Sequence, residues 1–143
     1  MLAAMYVGVV SAHTQPGAIP IKKTKAGGTD KFQVDCSNNP VDGITDHLEL
    51  SVTDRYPSNP ARISIQAMLP TTGAATAIST DAKDNDGKSS PVLSIAGGVG
   101  PYIMSVTKTR SRIIGRENYV ITFHCVSAGG GHTGTDYRMI QNQ

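Results

Sequence analysis

The sequence predicts an all-β fold, an antiparallel β-sandwich of jelly-roll or immunoglobulin-like type with about 7–9 strands and one disulfide. Three observations predict it. Five segments alternate apolar and polar residues with period two. Turn residues recur between them at sandwich-like spacing. The two cysteines fall at matching parity in the first and last of those segments. Composition agrees: 15 Gly and 8 Pro with 17% charged residues in 143 favour short strands and turns over helices.

The strands can be taken in order. Phe32, Val34 and Cys36 share one face, with Lys31, Gln33 and Asp35 opposite. Leu48, Leu50 and Val52 share a face, with His47, Glu49, Ser51 and Thr53 opposite. Ile63, Ile65, Ala67 and Leu69 alternate with Arg62, Ser64 and Gln66. Tyr102, Met104 and Val106 form the fourth apolar row. Tyr119, Ile121, Phe123 and Cys125 form the fifth, with Asn118, Thr122 and His124 opposite. Weaker strands are expected at 75–80 and 91–96. No window of useful length shows the i, i+3, i+4 spacing of a helix.

Turn chemistry separates these rows. Asp42-Gly43 and Asp86-Gly87 supply positive-φ positions. The run from Tyr56 to Pro60 cannot continue a central strand. Gly97 to Pro101 reads as a wide loop, and Gly129-Gly130-Gly131-His132 as a flexible loop after the last core strand. Strands dry on one face must pair face to face, which makes a sandwich.

The chain divides into three parts. Leu2 to Val10 has the length of a signal-peptide apolar region, and Val10-Ser11-Ala12 fits a small-residue cleavage site. Residues 1–12 therefore read as a truncated signal peptide, since no basic residue precedes the apolar run. A buried strand or short helix is the alternative. Residues 13–30 read as an N-terminal arm, broken by Pro16-Gly17 and Gly27-Gly28, and 31–143 as the sandwich domain. Export places the chain in the periplasm or outside the cell, where disulfides persist. Two cysteines allow one intramolecular pairing, Cys36 with Cys125.

The motifs of common catalytic machinery are missing. There is no Gly-x-Ser-x-Gly elbow, no Gly-x-x-x-x-Gly-Lys-Ser/Thr phosphate loop, no His-Glu-x-x-His and no Cys-x-x-Cys. A site assembled from scattered residues stays open. A net charge of +2, with basic residues scattered in two loose patches (Lys22, Lys23 and Lys25; Arg110, Arg112 and Arg116), argues against a nucleic-acid partner. The apolar start is too short to span a bilayer, so no stable membrane insertion is expected.

Two metal readings follow from side-chain chemistry. Asp81, Asp84 and Asp86 lie in an Asp/Gly-rich turn like the middle of an oxygen-rich Ca²⁺ loop. The bidentate Glu of such loops is missing and Lys83 opposes a cation, so a solvated hairpin turn competes with a weak Ca²⁺ site. Cleavage after Ala12 would expose His13, whose amine and imidazole together can chelate copper. His47, His124 or His132 could add a nitrogen, and imidazole suits copper.

The order Asp46–Val52, Ala61–Leu69, Ala75–Gly87, Gly100–Val106 and Glu117–Ile121 resembles the strands and acidic turn of the bacterial pre-peptidase C-terminal domain. The resemblance spans about 80 residues, 46–125, on short patterns. It implies a secreted, non-catalytic β-sandwich, in a family whose members sometimes bind Ca²⁺ near the sandwich edge. The cysteine pair and the Gly/His tail lie outside that pattern.

The expected function is an exported, non-enzymatic sandwich with a binding or structural role, facing an unknown protein or surface ligand. Oligomerisation by strand addition is one route open to such a domain. The alternative is a periplasmic copper-binding protein that uses the N-terminal histidine.

Overall fold

A computed structural model describes residues 12–20, 28–57, 61–109 and 115–143. The targeting segment, apart from Ala12, lies outside the described residues, as do Lys22, Lys23, Lys25, Arg110 and Arg112. The described residues form nine strands and no helix: β1 (His13–Ile19), β2 (Thr29–Ser37), β3 (Thr45–Asp54), β4 (Ile63–Met68), β5 (Ser79–Thr80), β6 (Leu93–Ala96), β7 (Gly100–Lys108), β8 (Glu117–Ser127) and β9 (Gly134–Gln141). Every pairing between these strands is antiparallel. One sheet runs β1-β8-β3-β6, the other β5-β4-β7-β2-β9.

The five alternating segments become β2, β3, β4, β7 and β8, and their apolar rows meet between the sheets. Leu48, Leu50, Val52, Ile121 and Phe123 from the first sheet pack with Phe32, Val34, Ile63, Ile65, Tyr102 and Met104 from the second, all essentially inaccessible. Burying each such side chain contributes roughly 1.5–3 kcal/mol, which makes this row the main driving force for stacking the sheets. Cys36 of β2 and Cys125 of β8 are bonded, with Cα atoms 5.7 Å apart. Since β2 and β8 belong to different sheets, the bond crosses the core and clasps the sandwich at one end.

Three local expectations are corrected. The stretch read as an N-terminal arm, 13–30, is not one element. His13–Ile19 joins the first sheet beside β8, and Thr29 and Asp30 open β2. The breakers misled because β1 is an edge strand, where Pro16 needs no second ladder partner. Gly17 is required there: a Cβ would lie 2.3 Å from the Tyr119 ring. The weak strand expected at 75–80 shrinks to Ser79–Thr80 plus a single bridge between Ala75 and Met68. Thr76 is held to β4 by its amide and carbonyl instead, through Ala67 O (2.9 Å) and Gln66 Nε2 (2.8 Å), while Ile78 stays exposed. Finally, β7 begins at Gly100, inside the stretch expected as loop, with Pro101 opposite Asp35 near the strand's start.

Candidate functional site

The solvent face of the first sheet carries a group of imidazoles around one carboxylate. On β3, His47 and Glu49 point outward because Leu48 and Leu50 point in. In the β3–β8 register Glu49 lies opposite His124. His132 reaches the same spot from a tight turn. Ser127 N donates to Gly131 O at 2.8 Å, Gly130 adopts φ 88°, and His132 bridges back to Val126. Only a residue free of Cβ tolerates that φ cheaply. The stretch expected as a flexible loop is thus an ordered turn that lays His132 on His124, with ring centroids 4.2 Å apart and planes 14° from parallel.

Glu49 bridges two rings. One oxygen meets His47 Nε2 at 3.2 Å and the other meets His124 Nε2 at 3.0 Å. His47 Nδ1 also faces Asp46 at 2.8 Å, so both its ring nitrogens point at carboxylates. Burial opposes the charged form of His47, yet the two carboxylates outweigh it and raise its pKa. His124 goes the other way. Burial lowers its pKa, the neighbouring His132 lowers it further, and Glu49 only partly compensates. Glu49 is pulled down because the bonds from His47 and His124 exceed its own desolvation. Nδ1 of His124 and Nδ1 of His132 are buried without a hydrogen-bond partner among the described residues. The group can bind protons at graded pH.

His13 does not join it. It pairs with Phe123, an inward residue, and stacks on that ring at 5.9 Å, so it lies on the opposite side of the sheet from His47, His124 and His132. The aspartates also turn to separate partners. Asp81 accepts from the amides of Asp54 (2.7 Å) and Lys83 (3.2 Å). Asp84 pairs with Arg62 at 2.8 Å, and Asp86 accepts from Lys88 N at 2.8 Å. Among the described residues, no three His, Cys, Asp or Glu side chains are arranged to hold a metal ion. Arg116, from the second basic patch, bonds Asn118 (3.0 Å) and lines an open depression of about 430 Å³ with Arg55 and Pro16.

The interior end far from the disulfide holds charges that the alternation conceals. Asp30, Asp54, Lys108 and Glu117 each sit one period beyond an apolar row, two residues from Phe32, Val52, Val106 and Tyr119, and all four are buried. Tyr119 donates to Asp30 Oδ2 at 2.5 Å, and Lys108 Nζ donates to Gly115 O. Among the described residues, neither Glu117 oxygen nor Asp54 Oδ1 has a hydrogen-bond partner. Burial pushes Glu117 up to about 7, aided by the charge of Asp54 and opposed by Lys108. Burial likewise pushes Asp54 up to about 7, aided by Asp84. Extending each strand's period by one step would have found these residues, because antiparallel pairing brings all four strand ends together.

No helix among the described residues is long and apolar enough to cross a membrane. In comparisons with known proteins, no family model and no curated protein sequence matches this chain.

Proposed function

We propose that the chain is an exported, non-enzymatic β-sandwich with a binding or structural role at the cell surface or in the periplasm. The observation that carries this reading is the Cys36–Cys125 bond between the sheets. Such bonds persist in oxidising compartments, and a chain that relies on one belongs there. The apolar segment before His13 supplies a route of export, with cleavage after Ala12. The paired sheets and the Asp/Gly-rich turn at 81–87 are compatible with the likeness to pre-peptidase C-terminal domains. Expression in a bacterium with fractionation, followed by intact mass and thiol trapping, tests the reading. A periplasmic or secreted chain starting at His13, with both thiols blocked, supports it. A full-length cytosolic chain with free thiols contradicts it.

A second reading, copper binding, draws on His124 and His132, whose Nδ1 atoms have no hydrogen-bond partner among the described residues beside the Glu49–His47 pair. It needs a rearrangement of the stacked rings, and it gains nothing from His13. Electron paramagnetic resonance of a Cu²⁺ titration tests it. A nitrogen-coordinated signal lost in His124→Ala supports it, and an unchanged signal in that variant removes it.

A further inference from the structure

Edge strands determine how a sandwich meets other chains, and the four edges here are unequal. β5 has 2 residues and β6 has 4, too short to template a partner. β1 carries Pro16, which leaves a gap in any ladder. β9 is 8 residues long, contains neither Pro nor Lys, and among the described strands shares a backbone ladder with β2 alone. It bears the partly exposed apolar side chains Tyr137, Met139 and Ile140 on one short segment. A register shift against Lys31 and Phe32 places one bulge at Ile140, leaving Thr135 to Met139 regular. The amide of Tyr137 donates to Asp136 Oδ1 at 2.8 Å rather than to β2, so it points along the open edge.

We propose that this edge pairs with the β9 strand of a second copy of the chain, antiparallel and in a register centred on Tyr137. The inference rests on reading the chain as a binding or structural domain and names its partner. Charge selects the register. Centring on Tyr137 sets Asp136 of each copy opposite Arg138 of the other, twice by symmetry. Centring one residue either way sets Asp136 against Asp136 or Arg138 against Arg138, and like charges directly opposite destabilise a strand pair. Both side chains are exposed on the outer face, and Arg138 donates to Gln33 Oε1 at 3.0 Å. Tyr137 N–H exchanges its own neighbour's carboxylate for the carbonyl of its twin, which frees Asp136 for Arg138. On the inner face Met139 then lies opposite Thr135, and the two Tyr137 rings lie opposite one another. The result is a continuous sheet of two five-stranded halves.

Sedimentation equilibrium of the purified chain up to about 1 mM, with amide exchange at Tyr137 and Met139, tests this. The expected result is concentration-dependent dimerisation with slowed exchange at those amides. Arg138→Asp should weaken self-association at least about tenfold. The exchange D136R with R138D, which restores opposite charges in this register alone, should recover it. Three outcomes overturn the proposal. The wild-type chain could be monomeric throughout, a dimer could ignore Arg138→Asp, or the double exchange could fail to restore pairing while remaining folded. Where the chain is monomeric, protection of the Met139 amide would mean that another segment of the same chain covers the edge. A monomer recovered oxidised from the periplasm would refute the dimer and leave the export reading standing.

Discussion

The Tyr119 hydroxyl donates to the buried carboxylate of Asp30 across the sandwich, 2.5 Å from oxygen to oxygen. The two residues belong to different sheets, β8 and β2, the same strands that Cys125 and Cys36 tie together. One strand pair is therefore joined covalently near one end and by a charge-assisted hydrogen bond near the other. Burial raises the tyrosine pKa and the Asp30 charge raises it further, so the hydroxyl keeps its proton to donate.

Removing that hydroxyl should cost more than an ordinary hydrogen bond. Tyr119→Phe leaves Asp30 Oδ2 buried and short of a donor, with Oδ1 still held by Gln143 N at 2.9 Å. A loss of about 1.5–3 kcal/mol is expected in urea unfolding. A loss under about 0.5 kcal/mol would show that solvent reaches the carboxylate.

Stability should fall as pH rises from about 4 to about 8, against the usual trend for acidic groups. Glu117 and Asp54 titrate near 7 in the folded chain, above their ordinary values of 4.5 and 3.8. The folded state therefore binds more protons than the unfolded state between those limits. The stabilisation is complete below about pH 4 and is lost as pH rises through about 7. Each group contributes on the order of 3–4 kcal/mol across that window, at about 1.4 kcal/mol per pH unit of displacement. Glu117→Gln should flatten the profile and make the protein more stable at pH 8 than the parent. An unchanged profile would place Glu117 in water.

The strong rows were legible because a half-buried strand must repeat every second residue, as Tyr119, Ile121, Phe123 and Cys125 do. The cysteine pairing followed from there being two cysteines, and parity in β2 and β8 set both on inward faces. β1 was missed because Pro16 and Gly17 read as breakers, although an edge strand tolerates the first and the Tyr119 ring demands the second. β9 was missed because most of it is exposed, so no burial imposes alternation on Tyr137-Arg138-Met139-Ile140. Outward parity did place His47 and His124 on one face. Their bridge through Glu49 depends on the β3–β8 register, which neither strand encodes alone. The calcium reading rested on sequence spacing, but the turn sends Asp81, Asp84 and Asp86 to backbone amides and to Arg62.

The two ring protons of the outer group should separate on titration. In a proton NMR titration His47 is expected to titrate above the ordinary histidine value of 6.5 and His124 below it. His132→Ala should raise the His124 midpoint by removing both the cover and the neighbouring positive charge. Coincident midpoints for His47 and His124, or no response to His132→Ala, would mean that the stack and the Glu49 bridge do not persist in solution.

The most direct test of a sandwich clasped across its core is equilibrium unfolding of the purified chain beside Cys36→Ser/Cys125→Ser. The bond closes a sequence separation of 89 residues, which the chain-entropy account values at about 4–5 kcal/mol. A loss of that order is predicted, with the folded variant keeping its β-sheet circular dichroism. Equal stability of the two proteins, or alkylation of both thiols in the untreated chain, would contradict the account.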